Sequence, residues 1–251
     1  MKSIPFILVS NDDGIRAEGI QVLARALQKI AKVVIVSPDR EQSASSHSIT
    51  LHRPLRIFKH SSWQYSVDGT PTDCVVLAVR EILRKKPDFV FSGINRGANL
   101  GEDVHYSGTV SAAMEGALLG IPSVALSLVA AEGKKCHFET AADFAKKLCR
   151  RMITSDEKKG FVLNVNVPNR PMSQIKGVEL SQLGKRNYGE LIFKKLDPRG
   201  KKYYWIGGTG HSEDIPGSDG NAIRKGKISV TPLKVDITDH LLITEIRSWK
   251  F

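Results

Sequence analysis

The pair Asp12-Asp13, inside Ser10-Asn11-Asp12-Asp13-Gly14, carries the sharpest chemical signal in the chain. It follows the apolar run Ile4 to Val9 and precedes a segment of helical periodicity. Adjacent carboxylates at the end of a buried strand need a compensating partner, and a divalent cation is the usual one. Hard oxygen donors with no nearby Cys or His suit Mg²⁺, Mn²⁺ or Ca²⁺ rather than zinc. Asn-Asp-Asp-Gly is also good turn chemistry, and Asp can cap the helix that follows, so a structural reading stands beside the metal one. Position favours the metal: open α/β sheets gather their ligands at the carboxyl ends of parallel strands.

Two further stretches bear on the same edge. Glu41-Gln42-Ser43-Ala44-Ser45-Ser46-His47-Ser48 is too polar to bury and too short for a domain linker, so it reads as an active loop or lid. Its hydroxyls suit a hard metal or a phosphate, and a mobile surface loop is the other reading. His47 is its one imidazole, either a general acid or base or simply a solvated side chain. The run Gly93 to Gly101, followed by Ser107-Gly108-Thr109 at a helix start, has the makings of a phosphate cradle. Small residues let backbone N–H groups approach an anion, and a helix N-terminus adds a favourable dipole. Asn95 and Asn99 contribute neutral amides there, and a purely structural loop is the alternative. Neither Gly-x-Gly-x-x-Gly nor a Walker loop occurs, and there is no Gly-x-Ser-x-Gly elbow or His-Glu-x-x-His.

The elements that must hold these residues follow from hydrophobic patterning. Ile4–Ser10, then Ile20, Leu23, Ala24, Leu27 and Ile30 at helical spacing, then Val33–Val36, form a βαβ unit and so predict a parallel sheet. Ile49–Phe58 and Trp63–Val67 read as extended segments of a hairpin. Thr70 is the expected N-cap of a helix with Pro71 at its first position. Phe89–Phe91, Ser123–Leu128 and Val162–Val167 are predicted strands, with helices over 110–119 and 138–153. The fold class is α/β, a Rossmann-like three-layer core with a mostly parallel sheet. Past Pro168 the alternation stops, so residues 1–168 read as the catalytic core. Residues 169–251 read as an extension with antiparallel hairpins, including Tyr203–Ile206 and Ile228–Val230.

Composition narrows the classes. The 251 residues are 41% hydrophobic and 25% charged, ordinary for a globular chain. No apolar run approaches the roughly 20 residues needed to span a bilayer. The N-terminus enters a strand within a few residues, with no signal-peptide pattern, so a cytoplasmic location is expected. Cys74, Cys136 and Cys149 are an odd, widely spaced set, unsuited to a disulfide framework or a zinc site. Lys and Arg number 37 against 26 acids, a net charge of +11, which favours anionic partners without naming one.

With these residues in view, the chain resembles the SurE family of metal-dependent nucleotidases. The match is carried by Ser10–Ile15, Pro38-Asp39-Arg40 through Ser45, Asp68–Cys74, and Ser92–Asn95 through Thr109. Tyr204-Trp205-Ile206 and Ser229–Leu233 extend it nearly end to end. The resemblance implies hydrolysis of nucleoside 5′-monophosphates, with 3′-monophosphates and polyphosphate as further candidates. It implies one divalent cation per subunit, held by Asp12, Asp13, Ser43 and Asn95, with Asn99, Ser107, Gly108 and Thr109 meeting the phosphate. It also implies a homodimer or homotetramer joined through the C-terminal extension. Glu18 and Ala98 stand where the family usually has proline, which puts local loop rigidity in question.

The expected mechanism is attack by metal-activated water, with Asp12 and Asp13 as the catalytic carboxylates. Two alternatives remain. An aspartyl-phosphate route lacks its usual Asp-x-Asp-x-Thr pattern. A basic nucleic-acid-binding module lacks any recognised binding motif and leaves Asp12-Asp13 unexplained, so nucleic acid is not the expected partner.

Overall fold

In the computed structural model, residues 4–131, 133–155, 160–189, 192–207 and 210–249 are described. The chain opens with β1 (Phe6–Ser10), α1 (Glu18–Leu27) and β2 (Lys32–Pro38), the expected βαβ unit. The apolar positions Ile20, Leu23, Ala24 and Leu27 of α1 are all buried. A hairpin follows, β3 (Ile57–Ser61) and β4 (Gln64–Val67). Next comes α2 (Pro71–Leu77), started by a reciprocal cap. The Thr70 hydroxyl accepts from Asp73 N–H, and the Asp73 carboxylate accepts from Thr70 N–H. The core is completed by β5 (Phe89–Arg96), α3 (Gly108–Leu118), β6 (Ser123–Val129), α4 (Phe138–Thr154) and β7 (Val162–Pro168).

These strands lie in the order β4-β2-β1-β5-β6-β7, all parallel, with β3 antiparallel on the outer edge. The chain winds outward from β1 to β2, then returns to place β5 on the other side of β1. That reversal is the crevice where α/β sheets bind ligands. Strand alternation splits the core in two. Ile7, Val9, Phe91 and Leu126 pack with α1 and α4 on one face. Leu8, Val34 and Val90 pack with Cys74, Val75 and Ala112 of α2 and α3 on the other.

The third strand is longer than predicted. β5 runs on to Arg96, so Ser92, Gly93 and Asn95 lie inside it rather than in a loop after Phe91. Gly93 has φ +135°, and a Cβ there would come 2.3 Å from the Leu126 carbonyl oxygen. The pairing with β6 shifts register between Gly93 and Asn95, a bulge that re-aims the residues beyond it. Gly93 therefore serves strand contact and not an anion.

The sheet also continues past Pro168. Residues there form β8 (Val178–Leu180), β9 (Arg186–Asn187), β10 (Ile192–Leu196), β11 (Lys202–Ile206), β12 (His211–Ser212), α5 (Asp219–Arg224), β13 (Ile228–Leu233) and α6 (His240–Ile246). β13 pairs antiparallel with β7, and β8 lies beyond it. This covers the β7 edge, whose N–H and C=O groups would otherwise be unpaired. β10 and β11 form a separate antiparallel hairpin, in which Tyr203–Ile206 is the expected strand and Ile192–Leu196 its unpredicted partner, with Tyr204, Trp205 and Ile206 exposed. No helix among the described residues is long and apolar enough to cross a membrane.

Candidate metal and phosphate site

The Ser10–Ser92 register sets the loops after β1 and β5 side by side, and the loop after β2 lies next to them. Together they wall a cleft of about 740 Å³. Asp12, Asp13, Ser43, Asn95, Asn99 and Ser107 all line it, so three loops distant in sequence meet as expected. Gly108 and Thr109 are not in its lining; they pack against Asp12 instead.

Asp12 is almost wholly buried, and burial raises its carboxyl above the ordinary range. Its Oδ1 accepts the Thr109 hydroxyl, and that hydrogen bond together with the Thr109 backbone N–H pulls the other way. At Gly108 a Cβ would stand 2.8 Å from the Asp12 Cβ and 2.8 Å from the Ser45 Oγ. Only glycine lets the start of α3 come so close to the carboxylate. Asp13 is pushed up to about 6, first by burial and then by the charge of Asp12. Among the described residues its Oδ2 accepts only a long contact, 3.4 Å, from Arg96 N–H. Glu41, a third carboxylate at the cleft, raises both.

The remaining donors are neutral. Asn95 Nδ2 donates to the Gly97 carbonyl at 3.2 Å, and its Oδ1 accepts no hydrogen bond from the described residues. Ser43 is exposed and donates to Glu41 Oε1 at 2.5 Å. Among the described residues no Lys, Arg or His makes an ion pair with Asp12 or Asp13, and no three His, Cys, Asp or Glu converge as a cage. Two repelling carboxylates flanked by a hydroxyl and an unused amide oxygen fit a hard divalent cation.

The opposite wall suits an anion. Ser107 caps α3 by accepting from Val110 N–H at 3.1 Å, and its own hydroxyl hydrogen is left to donate. Of the first-turn N–H groups of α3, that of Val110 is taken by Ser107 and that of Thr109 by Asp12, which leaves that of Gly108, where the helix dipole favours negative charge. Asn99 is nearly buried, with Nδ2 donating one hydrogen to Ser127 Oγ at 2.7 Å and carrying a second. The Thr109 hydroxyl, expected to meet phosphate, is fully buried and spent on Asp12.

The loop after β2 is anchored rather than free. Gln42 N–H donates to the Asp12 carbonyl, Ser46 N–H to the Tyr106 carbonyl, and Thr70 Oγ1 to the Ser48 carbonyl. His47 Nε2 meets Glu115 Oε2 of α3 at 2.9 Å, and His47 does not line the cleft. The imidazole latches this loop to α3. Ala44 and Ser46 have φ 55° and 51°, left-handed conformations rare outside glycine and typical of strained functional loops.

Sequence reasoning missed Asp103 and Tyr188 in the lining, and Asn164 and Asn166, which bond the Asn99 backbone. One signal was present: Asn164-Val165-Asn166 puts two amides on one face of a buried strand. Buried amides at such spacing must find partners.

The family model described as "Survival protein SurE" matches residues 7–190. A protein of Nitrosococcus oceani named 5′-nucleotidase SurE is 50% identical over 244 residues, 97% of this chain and 96% of its own length. Its namesake in Vibrio cholerae is 47% identical over 245 residues, 97% of this chain and 96% of its own. The crystal structure of the SurE protein from Aquifex aeolicus superposes with a TM-score of 0.86 at 43% identity, covering 97% of this chain and 98% of that one.

Proposed function

The chain belongs to the survival protein SurE family, and from that premise we propose that it hydrolyses nucleoside 5′-monophosphates to nucleoside and phosphate. One observation carries the reading. Asp12 and Asp13, strained by burial and mutual repulsion, share a cleft with Ser43 and Asn95, and the start of α3 forms the far wall. The relatives' printed name supports the substrate class. Asp12, Asp13, Ser43 and Asn95 are the residues that would hold a divalent cation, Mg²⁺ or Mn²⁺ in first place and Ca²⁺ as a bound ion. When bound, such a cation lowers the pKa of an attacking water and offsets charge developing on the phosphoryl oxygens.

The protein's own residues do the rest. Thr109 holds Asp12 in one orientation through its hydroxyl. Asp13, the more exposed carboxylate, orients a water for attack on phosphorus. Ser107 and Asn99, which line the cleft, donate to the remaining phosphoryl oxygens, and of the first-turn N–H groups of α3 only that of Gly108 is left to join them. Thr109 is thus a positioning residue for Asp12, with Gly108 giving the close approach, rather than a side-chain phosphate ligand.

We propose a homodimer or homotetramer built on the extension. In support, Phe193, Tyr204, Trp205 and Ile206 of the hairpin and Leu241 of α6 expose apolar surface that a monomer would bury. Three unpaired cysteines suit the reducing cytoplasm, where we place the enzyme.

The test is a phosphate-release panel of nucleoside 5′- and 3′-monophosphates and polyphosphate against several divalent cations, with Asp12→Asn as the blank. Release from 5′-monophosphates that ceases in chelator and in the blank is the expected result. Release undiminished in chelator, or a phosphoenzyme trapped by acid quench, sinks the mechanism.

A further inference from the structure

The loop that carries Asn99 is fixed from two directions by residues outside the core motifs. On one side, Asn166 of β7 pairs with the Asn99 backbone as a strand neighbour would. Its Oδ1 accepts Asn99 N–H at 2.9 Å and its Nδ2 donates to the Asn99 carbonyl at 2.9 Å. Asn164 Nδ2 adds a second donor to that carbonyl at 2.8 Å. On the other side stands Asp219, the first residue of α5, with no solvent exposure at all. Its Oδ2 accepts Gly101 N–H at 2.9 Å, and its Oδ1 accepts Gly184 N–H at 2.9 Å and Gly220 N–H at 2.7 Å.

A fully buried carboxylate is costly unless its oxygens are satisfied, and here backbone N–H groups alone satisfy both. Those donors come from three separate segments: the Asn99 loop, the turn before β9, and α5 itself. One side chain therefore joins the extension to the site loop. Gly101 fits against the same turn, where a Cβ would stand 2.7 Å from the Gly184 carbonyl oxygen. Because Gly101 N–H is committed to Asp219, it is withdrawn from any anion.

We propose that Asp219 is a positioning residue of the phosphate-binding loop, acting 118 residues away in sequence through Gly101 while Asn166 acts through Asn99. This rests on the reading of Asn99 as a phosphate contact. The two tethers bracket residues 99–101, so the Asn99 amide has little freedom to drift from the substrate. Misplacement by a fraction of an ångström is enough to weaken an oriented contact to an anion.

The test compares Asp219→Asn, which keeps volume but turns one acceptor into a donor, with Asn166→Asp, which keeps the acceptor and removes the donor. Ser181→Ala is the control: Ser181 bonds Ser229 and Thr231 within the extension and does not touch the loop. Inorganic phosphate is titrated calorimetrically into each Mn²⁺-loaded protein, and Mn²⁺ affinity is measured separately by electron paramagnetic resonance. We expect phosphate to bind about tenfold more weakly to both loop-tether variants, with KM raised in step and Mn²⁺ affinity unchanged. Ser181→Ala keeps wild-type phosphate affinity. Unchanged phosphate affinity beside a lowered Tm overturns the proposal, as does parallel loss of Mn²⁺ and phosphate binding. If Asp219→Asn does not fold, Asp219→Ser, which is smaller and gives up the reach to Gly101 N–H, takes its place with the same expected results. Failure of the nucleotidase reading shows itself differently, as wild-type protein that binds phosphate yet releases none from nucleotides.

Discussion

Thr109 donates its hydroxyl hydrogen to Asp12 Oδ1, tying the first turn of α3 to the loop after β1 across 97 residues of sequence. The bond joins the two walls of the cleft, so the start of α3 cannot move without moving the carboxylate. A hydrogen bond to a buried charge is worth about 1.5–3 kcal/mol. Thr109→Val should therefore lower kcat by about tenfold to a hundredfold with KM little changed. Thr109→Ser should restore most of it. Equal rates for the Val variant and wild type would show that Asp12 needs no such support.

Asp13 is the carboxylate left to orient water, so Asp13→Asn should remove turnover. The fold should survive, because the change relieves a like-charge contact instead of breaking a satisfied one. Circular dichroism and phosphate release on the same sample separate the two outcomes. Full activity in this variant ends the proposed role.

The raised carboxyl of Asp13 also predicts a pH dependence for the metal-free protein. A group lifted from 3.8 to about 6 contributes stability that is fully present below 3.8 and is lost as pH rises through about 6. In chelator, Tm should therefore climb as pH falls from 7 towards 5, by an amount on the order of 1–3 kcal/mol in stability. Mn²⁺ should stabilise most at the upper end of that window, where the pair is ionised. Differential scanning fluorimetry across pH checks the slope, which should be shallower in Asp13→Asn, where the raised carboxyl of Asp12 remains; a fall in Tm over the same window contradicts it.

Gly108→Ala sets two effects in opposition. Alanine favours a helix over glycine by up to about 1 kcal/mol. The added methyl, however, would meet Asp12 Cβ and Ser45 Oγ, each at 2.8 Å. We expect a Tm within a few degrees of wild type and a fall in kcat of about a hundredfold or more. A variant that keeps its rate would mean Asp12 can retreat without consequence.

His47 separates a latch from a catalyst. Bonded to Glu115 at 2.9 Å, it holds the loop after β2 against α3. His47→Ala should cost about 1–3 kcal/mol by stranding the nearly buried Glu115. His47→Gln, able to donate to the same oxygen, should recover stability and leave the pH–rate profile unchanged. Loss of one limb of that profile in the Gln variant would instead assign the imidazole to proton transfer.

Much of this molecule is readable residue by residue. The period of Ile20, Leu23 and Leu27 announces α1, and Thr70-Pro71 announces the start of α2, because caps and amphipathic faces are local physics. The adjacent carboxylates and the glycine-rich run also announce themselves, since uncompensated charge and missing side chains each narrow the uses of a site. Where local signals mislead, a neighbouring strand decided. Gly93 looks like part of a loop until Leu126 lies against it and draws β5 onward.

Sequence by itself determined the parallel α/β core, the edge on which the chemistry sits, and the residue types gathered there. Tertiary structure alone decided which groups are free to act. Thr109 and Gly101 both have donors suited to phosphate, yet one is spent on Asp12 and the other on Asp219. Such commitments depend on hydrogen bonds between segments about a hundred residues apart. Each polar group has few valences, and only packing shows which are already filled.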